Sequence, residues 1–329
     1  VSGTIVVDDP GLFTTVQDLG RPGHARLGVS AAGAADATAL RIANRLAGNP
    51  DGAPALEMTL KGGRFRFDAE AFVAVAGAEM QATIDGRPLP AWSAAPVPPG
   101  AVLVLGAAVA GARSVLAVRG GLLVPPVLGS ASTHVPSGLG GVSGRALVRG
   151  DRLSIGDPAS GPAPIARHVD PGARASLVPG LPIDATNGPR GAVVTLRVTA
   201  GAQIDRFDEP SRRLLVESEY RVSSASDRMG LRLEGAPIPP PGGGTMLTEG
   251  MPLGAIQIPP AGQPVILFVD HQTTGGYPVI AAVATADLSA VAQLRPGGRV
   301  QFERITFDEA RHLLRLQGEA IDAASRFVS

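Results

Sequence analysis

Apolar and polar positions alternate with a period of two along much of the chain, in short runs broken by glycine and proline. The stretches "FRFDAEAFVAVAG", "AVLVLG", "SVLAVRG", "VVTLRVTAG", "AIQIPP" and "PVILFVD" therefore predict strands, each bounded by turn residues. Three stretches switch to a helical period. "DATALRIANRLAGN" places Leu40, Ala43, Leu46 and Ala47 on one face, with Asp36 as N-cap and Gly48 after the end. From Thr285 to Gly297, Leu288, Val291 and Leu294 form a similar stripe. The third, "TFDEARHLLRLQGEAIDAASRFVS", opens with the capping-box spacing Thr306 to Glu309 and is amphipathic, suited to docking on the body or on a partner. Many short strands with few helices predict a mainly β chain of antiparallel barrels or sandwiches, not a βαβ array.

The pattern also repeats. "VPPGAVLVL", "SVLAVRGGL" and "RGDRLSIG" in the first half are answered in the same order by "MPLGAIQIP", "PVILFVDHQTTGGY" and "PGGRVQFERI" in the second. Two related β-rich halves are expected, at residues 1–160 and 191–329, with a Pro/Gly/Ala-rich joiner at 161–190. Chance likeness between short β motifs is the alternative. A length of 329 residues suits two cores better than one.

Composition narrows the chemistry. With 29 basic and 29 acidic residues the formal charge is zero and no like-charge cluster stands out, so a nucleic-acid partner is not expected. The absence of cysteine removes disulfides, thiolate nucleophiles and thiolate metal sites. Five histidines show neither HxH nor HExxH spacing, and no tightly bound metal is expected. Lys61 is the sole lysine, so "GLGGVSGRAL" at Gly138 to Leu147 lacks the lysine of a phosphate-binding P-loop. "TLKGGRF" also lacks the methionine flanks of a biotin carrier, so any carried cofactor arrives on another chain. No signal segment or apolar run long enough to span a bilayer is present, which predicts a soluble cytoplasmic protein without membrane association; the start on Val reads as trimming.

Polar clusters interrupt the strand pattern at sites where chemistry is expected. Gln17, Asp18 and Arg21 crowd a glycine-rich loop, where an Arg beside an Asp can clamp a carboxylate or phosphate; an ordinary loop salt bridge is the alternative. Ser30, Gly33 and Asp36 lie at a helix start, able to hold an anion or simply to cap. Asp227 and Arg228 follow three serines and offer a base and a charge-neutralising cation, unless they are solvated ends of a hairpin. Glu249, before a Gly turn, carries little by itself. The richest cluster is "DHQTTGGYPV". Asp270 can act as base or orient a partner, Gln272, Thr273 and Thr274 can donate to a carbonyl or anion, and Gly275 and Gly276 let a ligand approach the backbone beside Tyr277. The first half ends its matching strand "VRGGL" with glycines alone, so the glycines read as architecture and "DHQTT" as function.

In fixed order, "TTVQDLGRPGH", "GVSAAGAAD", "LRIANRLAGN", "VPPVLGSAST", "SDRMGLRLEG" and "DHQTTGGYPVIAAVATADLSAVAQLRPG" resemble the biotin-dependent carboxyltransferase family. Its members include the C component of 5-oxoprolinase, the second subunit of allophanate hydrolase and the carboxyltransferase domain of urea amidolyase. The resemblance implies tandem cyclophilin-like β-barrel domains, a smaller partner subunit of related ancestry and, for 5-oxoprolinase, a third lactam-opening subunit. The implied reaction is ATP-dependent opening of 5-oxo-L-proline to L-glutamate. Carboxyl transfer from a biotin delivered in trans to a urea-like acceptor, allophanate hydrolysis, and non-catalytic antagonism of a kinase inhibitor are the alternatives. Ala35 stands where members commonly have methionine, which weakens the carry-over to Asp36, and His271 falls at a variable position.

Overall fold

A computed structural model describes residues 2–157, 166–170, 177 and 193–324. The first half folds as two six-stranded sheets. One runs in the order Arg152–Ile155, Gly3–Asp9, Arg64–Phe67, Val102–Val104, Thr83–Ile84, Arg87–Pro88. The other runs Arg167–His168, Ser93–Val97, Ala71–Glu79, Ala110–Val118, Ala55–Thr59, Thr14–Gln17. The strand Arg64–Phe67 shows how the pattern works: both arginines are exposed and both phenylalanines buried, as a period of two requires. Ala71–Glu79 lies between two partners and is buried over most of its length.

The second half is a closed barrel of seven strands: Val193–Ala200, Val279–Val283, Ala255–Gln257, Val265–Leu267, Gly230–Glu234, Tyr220–Val222 and Arg299–Arg304. Val193–Ala200 pairs in parallel with Arg299–Arg304 to close it. The mainly β expectation holds. Of the joiner, only residues 166–170 and 177 are described; there Arg167–His168 adds an edge strand beside Ser93 and Ala94. The remainder of 161–190 lies outside the described residues.

Four helices complete the described residues: α1 (Ala37–Ala47), α2 (Glu209–Glu217), α3 (Leu288–Gln293) and α4 (Phe307–Ala324). Asp36 caps α1, accepting from Ala39 N–H at 2.9 Å, and Gly48 ends it at φ 79°. The α4 capping box forms as its spacing predicts: Glu309 accepts from Thr306 N–H at 2.7 Å and Thr306 Oγ1 accepts from Glu309 N–H at 3.2 Å. The C-terminal part of α4 docks through Gln317, Ile321 and Ala324, while Phe307, Leu314 and Leu316 stay exposed. The α2 helix is not foreseen from the apolar pattern, because only Ser211 and Leu215 are buried; its signals are local, an Asp208 cap on Ser211 N–H and Pro210 in the first turn.

One hydrophobic cluster crosses the boundary between the halves. It takes in Leu40, Ile42, Leu46 and Trp92 from the first half and Leu196, Ile256, Phe268, Ile280 and Val291 from the second. A second cluster around Val7, Met58, Phe65 and Leu103 belongs to the first half alone. Lys61 is exposed and forms an isolated bridge with Ala107.

Candidate functional site

On the barrel surface a cleft of about 140 Å³ is lined by Asp227, Arg232, Gln257, Gln272 and Tyr277 among its polar groups. Asp227 sits in the turn between Tyr220–Val222 and Gly230–Glu234, where its Oδ1 accepts the N–H groups of Met229 at 2.8 Å and Gly230 at 3.1 Å. That pairing fixes the carboxylate and leaves Oδ2 for a ligand. Gln257 enters from the barrel wall; its Nε2 donates to Met251 Sδ at 3.2 Å and to the Tyr277 carbonyl at 3.4 Å. Gly275 packs closely here: a Cβ would lie 2.7 Å from Gln257 Nε2 and 3.0 Å from Met251 Cγ, so a larger residue would displace those side chains.

The polar stretch that begins at Asp270 thus divides. Gln272 and Tyr277 face the cleft, whereas Thr274–Gly275 pairs with Glu249–Gly250 as a two-stranded ribbon. The Thr273 carbonyl accepts from Met251 N–H and that of Gly276 from Met246 N–H. Thr273, Thr274, Gly275 and Gly276 therefore shape the loop by its backbone. The two glycine pairs are also not equivalent, contrary to the expectation of one shared architecture. Gly120 and Gly121 have φ of 92° and 70°, where other residues are strained, while Gly275 lies outside that region and packs against the side chains of Gln257 and Met251.

Behind the cleft, Arg228 and Asp270 lock the two loops together. Asp270 Oδ2 accepts from Arg228 Nε at 2.8 Å and Oδ1 from Nη2 at 3.1 Å, while Asp270 N–H donates to the Arg228 carbonyl at 2.8 Å. Arg228 also reaches the first half, pairing through Nη1 with Glu57 and through Nη2 with the Gly33 carbonyl at 2.7 Å. Glu57 in turn accepts Ala35 N–H at 2.6 Å. Burial, the largest effect on Arg228, would lower its pKa, but the charges and hydrogen bonds of Glu57 and Asp270 together raise it above the ordinary value. Asp270 is thus held in an ion pair and stands behind the cleft. Burial lowers the pKa of neighbouring His271, opposed by the Gln272 carbonyl that its Nδ1 meets at 2.7 Å and by Asp270.

The other expected groups lie in the first half and at the boundary. Asp18 accepts from Ser130 Oγ and Ser132 Oγ at 2.5 Å, Ala131 N–H at 2.6 Å and Gly20 N–H at 2.7 Å. Arg21 donates to the carbonyls of Val127, at 3.2 Å, and Ser132. The expected Asp18–Arg21 clamp is therefore replaced by two separate anchors on the segment 127–132, because that segment supplies carbonyls and hydroxyls closer to each. Gln17 Nε2 donates to Thr15 Oγ1 and to the Thr133 carbonyl, both at 3.0 Å. Ser30 Oγ donates to the Val269 carbonyl at 3.2 Å, tying its loop to the strand before Asp270. Asp36 caps α1 and accepts from Gln293 Nε2 at 2.7 Å.

Glu57, Arg113 and Gln293 are among the buried polar groups that escape the sequence reading. The first two are charges inside buried strands, "ALEMT" and "AGARSVLAV", a conflict with the apolar pattern that is itself a signal. Gln293 interrupts the apolar stripe of α3 in the same way. Among the described residues no group of three or more His, Asp or Glu side chains is placed to hold a metal ion.

The described residues form two β-rich halves joined by the buried Arg228–Glu57 ion pair, with a polar cleft on one of them, and likeness to known proteins gives the family. The chain belongs to the carboxyltransferase domain, subdomain A and B, family, whose model matches residues 27–304. It is 38% identical over 300 residues to the C component of 5-oxoprolinase from Escherichia coli (strain K12), covering 91% of each chain. It is 35% identical to the same component from Haemophilus influenzae, covering 95% of each. Its structure superposes on that of the K. lactis urea amidolyase with a TM-score of 0.87 and 32% identity, covering 98% of this chain but 20% of that one.

Proposed function

We propose that the chain is the C component of a 5-oxoprolinase, an ATP-dependent amidohydrolase complex that opens 5-oxo-L-proline to L-glutamate. The observation that carries this reading is the match to that component of two bacterial 5-oxoprolinases across nearly the full length of both chains. The urea amidolyase match, by contrast, spans a fifth of that protein. The cleft suits a small amide: Asp227 Oδ2 is the base or proton acceptor, Arg232 pairs with a carboxylate, and the amides of Gln257 and Gln272 hydrogen-bond the lactam group. Arg228 and Asp270 act from behind as positioning residues.

At about 140 Å³ the cleft is small beside pockets of ~300–1,000 Å³ that enclose drug-sized ligands, and it suits a lactam better than a nucleotide. The nucleotide is accordingly assigned outside this cleft; the other members of the complex are a smaller related subunit and a lactam-opening subunit. The test is reconstitution with those partners and measurement of ATP-dependent glutamate release from 5-oxoproline; no release overturns the reading.

The family match favours a second reading, carboxyl transfer from biotin carried on another chain. The ureido end of biotin matches the amide of Gln272, the Oε1 acceptor of Gln257 and the free oxygen of Asp227, and biotin would supply the carboxyl group. Absence of acceptor carboxylation with a carboxylated biotin carrier removes that reading.

A further inference from the structure

The two ends of the Gln257 amide are held differently. The residue is 2% exposed and closes the strand Ala255–Gln257 in the barrel wall, yet it lines the cleft. Its Nε2 is committed, donating to Met251 Sδ at 3.2 Å and to the Tyr277 carbonyl at 3.4 Å, while Oε1 has no partner among the described residues. The amide cannot turn over in place. A flip would set Oε1 against the Tyr277 carbonyl oxygen and a thioether sulfur, neither of which donates. Met251 packs with Ala255, Leu267 and Val279, which fixes its sulfur, and the missing side chain of Gly275 leaves the space that Nε2 fills.

Asp227 is one-sided in the same way, its Oδ1 taken by the Met229 and Gly230 N–H groups and its Oδ2 open. The cleft therefore presents two oriented acceptors, Gln257 Oε1 and Asp227 Oδ2. Beside them stand the exposed amide of Gln272, which can donate or accept, and the donor-only guanidinium of Arg232. These exposed groups can turn to suit a ligand or stay with water; Gln257 can do neither. A buried acceptor covered by a ligand without a donor loses its solvation and gains nothing, so it selects more sharply than an exposed one. An N–H satisfies Oε1, whereas a ring oxygen in the same place sets two acceptors face to face.

We propose that Gln257 determines the specificity of the cleft by reading an N–H on the ligand through Oε1, so that the site takes cyclic amides or ureides with a free ring N–H and rejects the equivalent lactone. This role rests on the cleft being the substrate site, as in the reading above, and adds what that site discriminates. Binding of 5-oxo-L-proline and of its lactone counterpart, in which the ring N–H is an oxygen, to the full chain by saturation-transfer NMR titration tests it. The two ligands share ring size and carboxylate, and the lactam is expected to bind about tenfold tighter or more. Gln257→Leu removes the acceptor at similar volume and should bring the two affinities together. Gly275→Ala pushes on Nε2 without demanding a left-handed backbone and should narrow the gap. Equal affinities in the wild-type chain, no binding of the lactam, or an undiminished preference in Gln257→Leu overturns the proposal. Should that variant not fold, an undiminished preference in Gly275→Ala overturns it instead. Glutamate release by the reconstituted complex is a separate readout: release without a lactam preference removes the role of Gln257 alone, and a preference without release removes the proposed reaction alone.

Discussion

Arg228 joins three parts of the chain with one side chain: the turn that carries Asp227, the loop that carries Gln272, and the first half through Glu57 and Gly33. Arg228→Met removes the cation that two buried carboxylates share and is expected to cost about 3–5 kcal/mol in urea unfolding. Replacing Glu57, Arg228 and Asp270 together by apolar residues of similar volume is expected to cost less than Arg228→Met alone, because no charge is then stranded. Gln272→Ala and Tyr277→Phe behave differently. Both side chains are on the surface of the cleft, so stability should hold within about 0.5 kcal/mol while glutamate release by the reconstituted complex falls at least tenfold; unchanged release in both removes the cleft from the mechanism. The polar types at 227, 228, 270 and 272 were legible in the sequence because they break an apolar pattern. Their division into a cleft and a lock was not, since which side of a loop a side chain takes depends on partners such as Glu57, 171 residues away from Arg228.

Among the elements, those whose boundaries rest on local chemistry were the most legible. The α1 cap at Asp36 and the α4 box at Thr306 both form where their spacings require. Thr306→Ala should cost about 0.5–2 kcal/mol, seen as a lower denaturation midpoint. Asp36 adds a pH effect. Burial raises its pKa above 3.8, with the charge of Glu57 adding to it, against hydrogen bonds from Ala39, Gln293 and Ser289 that lower it. The folded chain then holds this proton longer than the unfolded chain does. Its contribution to stability is full below pH 3.8 and drains away as pH rises towards the folded value. Asp36→Asn keeps a good cap and removes the titration, so the stability of the wild type relative to this variant should fall across that interval; parallel profiles would refute the assignment. The α2 helix escaped because its single buried apolar residue gives the period nothing to show.

On the scale of the whole molecule, the repeated strand pattern leads to an expectation of two β-rich halves, and a shared core is no part of that expectation. The hydrophobic cluster containing Leu40, Trp92, Ile256 and Phe268 passes from one to the other, and Gln293 stitches the same boundary by accepting from Ala112 and Arg113 N–H and donating to Asp36. Alternation reports which face of a strand is apolar, not what that face meets. With a continuous core, calorimetry should show a single unfolding transition, and two resolved transitions would refute the coupling. Lys61, exposed beside Leu60, has a practical consequence at this scale. Apart from the terminal amine, an amine-directed dye has one place on the chain to react, one residue from Leu60, which lines a small cavity together with Val222 and Leu231 of the barrel across the boundary. The molecule comes with its own single-position handle for measuring by energy transfer how far a partner subunit docks from that boundary.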